Sequence, residues 1–209
     1  MVLPIAKYGH PVLRQRGESI GSDREGLQQL INDMLETMYQ AHGIGLAAQQ
    51  IGQPIQLTVV DVTEAKDRPL GLWIDGSPAP LNKHMPMVLL NPRIEPLDAP
   101  VLGQEGCLSF PEIYGDVSRP ETVNVEALQS DGSILKFRCN GLLARAVQHE
   151  TDHLNGILFI DRMDRAAKDE IRHAFEALHA QTKNELSQGE PTAPGQGSSR
   201  NQSGFWSVG

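Results

Sequence analysis

Two histidines and a glutamate fall within five positions of the run VQHETDHLNG: His149, Glu150 and His153, the pattern HExxH. In a helix, residues four apart project from one face about a turn apart, so two imidazoles can reach one cation. Glu150 lies one position round, where its carboxylate can contact a water on that cation without displacing a histidine. Zinc-dependent hydrolases use this arrangement. The plainer reading is a solvated helix with two surface histidines. Context argues against it, because the run interrupts an apolar stripe of Leu142, Leu143, Ala146, Val147 and Leu154, and buried imidazoles need partners. His173 and His179, six apart in a later helix, point in different directions and read as solvent-facing.

A hydrolytic site of this kind needs a third protein ligand and an open position for water. A histidine at HExxHxxGxxH spacing fails, since Phe159 stands there. A downstream glutamate, Glu170 or Glu176, can reach back from the last helix. Cys107, in GQEGCLSFP, sits in a loop or strand end and offers a thiolate for a His2Cys set. Spacing alone leaves this contest open. Cys139, in a strand beside a hairpin, reads as a small buried hydrophobe.

These residues need elements to hold them. Ser22 to Glu25 has capping-box spacing, and Leu27, Leu30, Ile31, Met34, Leu35 and Met38 recur on one helical face ending near His42–Gly43. GIGLAAQQ follows as an extended segment passing close to something. Residues 55–62 and 87–97 read as strands, separated by a Pro/Gly/Asp-rich mobile loop. Residues 121–139 contain two strands joined at Ser130-Asp131-Gly132, a hairpin signal. Asn140–Gly141 opens the HExxH helix, and Asn155–Gly156 stops it. A third helix starts near Asp164 with Ile171, Phe175, Leu178 and Leu186 on its buried side.

Composition sets the outer bounds. The 209 residues fit one domain with a real core. No apolar run approaches the roughly 20 residues needed to span a bilayer. The N-terminus lacks the marks of a secretory signal, so the expected location is cytoplasmic. A net charge of −8 disfavours nucleic acid as a specific partner. Two cysteines in such a compartment read as thiols, not as a disulfide.

Taken in order, GIGLAAQQ, EGCLS and QHETDHLNG resemble the three signature segments of peptide deformylases. The resemblance runs from KYGHPVLR through the third helix. It implies an α+β fold, with antiparallel strands wrapped around a central HExxH helix, plus N-terminal and C-terminal helices. Residues 1–186 would be one catalytic domain, and 187–209 a Gly/Pro/Ser-rich tail, disordered unless a partner orders it. The implied reaction removes formyl from N-formylmethionine of nascent polypeptides and releases formate.

The resemblance also selects Cys107 over Glu170 and Glu176, giving metal ligands Cys107, His149 and His153 with Glu150 as general acid/base. Oxyanion donors would be the backbone N–H of Leu108 and the side-chain amide of Gln50. Gly43, Ile44, Gly45 and Gly106 would present backbone to an extended peptide added as a strand. The cofactor would be one divalent ion, Fe2+ by resemblance, with Zn2+, Ni2+ or Co2+ as replacements. The partners would be N-formylmethionyl peptides and nascent chains, with the ribosome as a transient contact. The chain is expected to be a monomer that binds no membrane. The stretch from about Glu64 to Pro86 departs from the family pattern in length. Two other readings are an HExxH zinc endopeptidase using Glu170 or Glu176, and a non-catalytic metal- or ribosome-binding module.

Overall fold

The computed structural model describes residues 1–22, 25–65 and 69–189. In chain order its elements are α1 (Leu27–Gln40), β1 (Gly45–Ala47), β2 (Leu57–Val60), β3 (Leu70–Ile74), β4 (Ser77–Pro78), β5 (Met87–Pro96), β6 (Pro100–Cys107), β7 (Phe110–Pro120), β8 (Thr122–Leu128), β9 (Ile134–Asn140), α2 (Gly141–Leu154), α3 (Arg165–Glu170) and α4 (Arg172–Gln188). Among the described residues, seven strands form one sheet in the order β1-β2-β5-β8-β9-β3-β4, and β6 and β7 form a separate two-stranded ribbon. All strand pairings in both sheets are antiparallel. The fold is α+β, as the resemblance implies.

The strands wrap α2. Twelve of its 14 residues are buried, charged ones included, and it packs on β1, β2 and β3. A helix covered on every side sits inside the fold rather than on it. Leu143, Ala146 and Val147 join Val60, Leu89, Val123 and Cys139 in the core beneath the sheet. Burying each Leu or Val of this kind contributes about 1.5–3 kcal/mol. The start of α2 depends on Gly141, whose φ is +61° and whose missing Cβ leaves room for the Pro69 carbonyl. Any other residue there is strained and meets that carbonyl.

A second core lies between α1 and the β1–β2 edge, and a third joins the ribbon to the N-terminal segment and α4. The third contains Leu13, Phe110, Phe159 and Phe175.

Four sequence expectations need correction. α1 begins at Leu27 with Gly26 at its cap in the left-handed region, φ 72°, so Ser22 and Glu25 do not box its start. Asp23 and Arg24 lie outside the described residues. GIGLAAQQ is extended only through Ala47 and then turns as a 3-10 helix, Ala48–Ile51. The cause is local: the Gln50 side chain folds back to accept the Ala47 N–H at 2.8 Å. The stretch read as a mobile loop holds β3, which pairs with β9 and buries Leu72; within it, residues 66–68 lie outside the description. The third helix breaks at Ile171, which caps α3 with φ −100° and ψ 4°, and Leu186 on α4 is 37% exposed. The tail from residue 190 also lies outside the described residues, and α4 runs two residues past the expected domain end at 186.

Candidate functional site

α2 presents His149 and His153 one turn apart, with ring centroids 5.0 Å apart and planes at 65°. Cys107 is the last residue of β6, just before the tight turn Leu108–Ser109 that leads into β7. The ribbon is therefore the device that carries the thiol to the helix, and no local pattern in the chain marks it as such. One ligand atom from each of Cys107, His149 and His153 lies within 4.8 Å of the others, and Cys107 Sγ is 3.3 Å from His153 Nε2. Bonds of about 2.3 Å to sulfur and about 2.0 Å to nitrogen, at a tetrahedral angle, separate such atoms by roughly 3.5 Å. All three residues are buried.

The protonation pattern fits a cation. Glu105 is buried, and burial works to raise its pKa. The hydrogen bond with His149 Nδ1 at 2.9 Å and the charge of Arg119 overcome this and hold it well below the ordinary carboxylate range. An ionised Glu105 can only accept, so His149 Nδ1 carries the proton, and in the neutral ring Nε2 keeps the lone pair. That Nε2 is buried without a hydrogen-bond partner among the described residues. Burial, reinforced by Glu150 and Glu105, pushes the Cys107 thiol well up, although Ser109 works against it. A thiolate here needs a positive neighbour, which a divalent ion supplies.

Glu150 is completely buried, and neither carboxylate oxygen has a hydrogen-bond partner among the described residues. Burial raises its pKa well above the ordinary range, with the Arg119 charge opposing and Glu105 adding. A carboxyl so placed favours its protonated form, which suits a group that must hold a proton and hand it on. Gly45 makes its room: a Cβ there would lie 2.5 Å from Glu150 Oε1. Gln50, also fully buried, directs its amide Nε2 to Cys107 Sγ at 3.6 Å and to Ser109 Oγ at 3.3 Å. The N-terminal segment braces both partners, with the Ala6 N–H donating to Gln50 O (2.7 Å) and the Tyr8 N–H to Ser109 O (2.9 Å).

The other expected residues fall around this cluster. Gly43 approaches Leu108, whose Cδ1 would lie 2.8 Å from a Cβ there. Ile44 is buried, and Gly45 opens β1, an outer strand of the main sheet whose one partner there is β2. Gly106 is buried in β6 beside the bulge at Cys107. Glu170 and Glu176 are exposed and outside the ligand cluster, and Glu176 lies 3.7 Å from Arg172. The glutamate-ligand alternative therefore loses its geometry. Phe159 lies 6.3 Å from the His149 ring, as a wall. His173 is exposed as expected; His179 is instead half-buried, 5.3 Å from the Tyr8 ring.

Sequence reading missed the charged lattice behind the Cys107, His149 and His153 cluster. Arg119 binds Glu105 at 2.6 Å and Asp152 at 2.7 Å, Arg145 binds Glu105 at 2.8 Å, and Arg162 binds Asp152 at 2.6 Å. A signal was available: Glu105 and Cys107 are two apart on a strand and share a face.

Comparison with known proteins follows the same lines. A family profile described as polypeptide deformylase matches residues 2–169. A peptide deformylase of Opitutus terrae is 49% identical over 174 residues, 82% of this chain and 90% of its own length. One from Methylacidiphilum infernorum is 41% identical over 178 residues, 85% of this chain and 93% of its own. The solved peptide deformylase 1B of Arabidopsis thaliana superposes with a TM-score of 0.74 at 37% identity, covering 91% of this chain and 96% of that one. The Thermus thermophilus enzyme gives 0.74 at 35%, covering 88% and 99%.

Proposed function

The chain belongs to the polypeptide deformylase family, and from that premise we propose how its own residues carry the family's reaction. It is a metal-dependent hydrolase that removes the formyl group from the N-terminal N-formylmethionine of nascent polypeptides. The endopeptidase alternative is not favoured. Cys107, His149 and His153 hold one divalent ion, which when bound supplies a Lewis acid that acidifies water and polarises the formyl group. Glu150 takes a proton from the attacking water and returns it to the leaving amine. The Gln50 amide and the Leu108 N–H donate to the developing oxyanion; losing one such donor typically costs about 3 kcal/mol in barrier. Gly43, Ile44, Gly45 and Gly106 offer backbone to the formylated peptide, which adds along β1 as a further strand. Glu105 fixes the tautomer and ring orientation of His149.

The observation that supports this reading is the convergence of Cys107 on the two α2 histidines, beside a carboxyl and an amide that both stand within the same buried cluster. The test is Glu150→Ala assayed for formate release from a formyl-Met peptide and for bound metal. The expected variant keeps its metal and loses turnover by about a hundredfold or more; retained turnover sinks the role of Glu150.

The ion is Fe2+, replaceable by Zn2+, Ni2+ or Co2+, and anaerobic purification with metal analysis tests this. The catalytic unit is residues 1–186, acting as a cytoplasmic monomer that meets nascent chains at the ribosome. No described helix is long and apolar enough to cross a membrane.

A further inference from the structure

A cavity of about 640 Å³ opens between the N-terminal segment and α4, apart from the metal ligands. Ligand pockets commonly measure roughly 300–1,000 Å³. Rings stand between this cavity and the catalytic cluster: Tyr8 stacks on Phe110 at 4.6 Å, Phe110 meets Phe159 edge-on at 5.0 Å, and Phe159 lies 6.3 Å from His149.

The lining has two chemistries. Leu13 and Leu158 are buried and belong to the floor, while Tyr8 and the exposed Leu186 extend the apolar wall. Apart from the Tyr8 phenol, the titratable side chains of the lining are basic, His10, Arg14, His179 and Lys183, with no carboxylate among the described lining residues. In a chain of net charge −8 this sign is against the average. Arg14 is already engaged by Asp161 and by the Gly156 carbonyl. Lys183 has no ion pair among the described residues. His10 Nδ1 accepts the Val12 N–H at 3.2 Å, so the neutral ring carries its proton on Nε2 as a remaining donor. His179, Lys183 and Leu186 recur at helical spacing and place charge and apolar surface on one face of α4.

We propose that this cavity binds a small amphipathic anion: an apolar body on the Tyr8, Leu13 and Leu158 side, with one carboxylate, sulfonate or phosphate head against Lys183 and His179. The exposed leucine on α4 is then wall rather than stray surface. Body and head are both required, because the leucine floor offers a charged head no partner and the basic side chains offer an apolar body no favourable surface.

Fluorescence titration of the full chain with 1-anilinonaphthalene-8-sulfonate, an aromatic body with one sulfonate, tests this. Saturable binding at one per chain is expected, displaced by decanoate and by decyl phosphate; their relative strength tells which head is preferred. Lys183→Glu should weaken binding by about tenfold or more, Lys183→Arg should restore it, and Lys136→Glu, on β9 and outside the cavity lining, should leave it unchanged. Turnover of formyl-Met peptide and the circular dichroism of each variant should match the parent. The proposal is overturned if Lys183→Glu binds as the parent does, or if inorganic phosphate or decanol alone displaces the probe as well as decanoate.

Discussion

Two ion pairs of the same length, one buried and one exposed, do different things. Arg119 and Glu105 meet at 2.6 Å with side chains 4% and 0% exposed; Lys136 and Glu126 also meet at 2.6 Å, but 68% and 42% exposed. The first pair sits behind the Cys107, His149 and His153 cluster and continues to His149, Arg145 and Asp152. The second spans β8 and β9 on the outer sheet face, where water competes for both charges. Distance is therefore no guide to consequence. Burial makes the partners of the first pair matter far more to each other, since an under-compensated buried charge is far costlier than a wet one.

The sharpest way to break the comparison is to remove one cation from each pair. Arg119→Met removes one cation from both Glu105 and Asp152, leaving them Arg145 and Arg162, and should destabilise by up to about 3–5 kcal/mol. Lys136→Met should leave the urea midpoint essentially where it was. Equal shifts in the two variants would show that burial is not the deciding variable.

A smaller change asks whether the lattice serves the ligands rather than the fold alone. Glu105→Gln keeps the shape but loses the charge that fixes the His149 tautomer. Metal retention against a chelator should fall by roughly 10–100-fold. Retention equal to the parent's would confine Glu105 to a structural role.

The smallest effect belongs to an intermediate case, Arg14 with Asp161, whose side chains are 42% and 31% exposed. Burial works to raise the Asp161 pKa, but Arg14 and the Leu158 N–H overcome it and hold it below the usual value. A depressed folded pKa means stability that is present above the unfolded carboxylate pKa and is lost as pH falls through the folded one. The stability difference between the parent and Asp161→Asn should thus be about 1 kcal/mol or less at neutral pH and vanish in acid. A difference that grows on acidification would reverse the sign.

Local signals survived folding well where one element contains the whole pattern. The hairpin at Ser130–Gly132 and the stop at Asn155–Gly156 both stand where turn chemistry put them. The break at Ile171 and the pairing of β3 with β9 were hidden, because each answers to neighbours distant in the chain. Glu105 was legible in principle from its two-residue offset to Cys107, but Arg119 and Asp152 had no local mark. Leu186 failed for the opposite reason: its periodicity was right, yet among the described residues no core element covers it.

The sequence by itself determined the two imidazoles and the carboxyl, because a helix fixes residues four apart on one face whatever surrounds it. It also carried the resemblance in three segments. Only the tertiary structure brings a thiol 46 residues away in sequence to 3.3 Å from His153. Ribbon register and the packing of β6 and β7 against α2 decide that approach, and neither is encoded in any short window of residues. The same packing withdraws water from Glu105 and Glu150 but sets His149 and Arg119 against Glu105 alone, which gives two glutamates of one residue type opposite shifts in proton affinity.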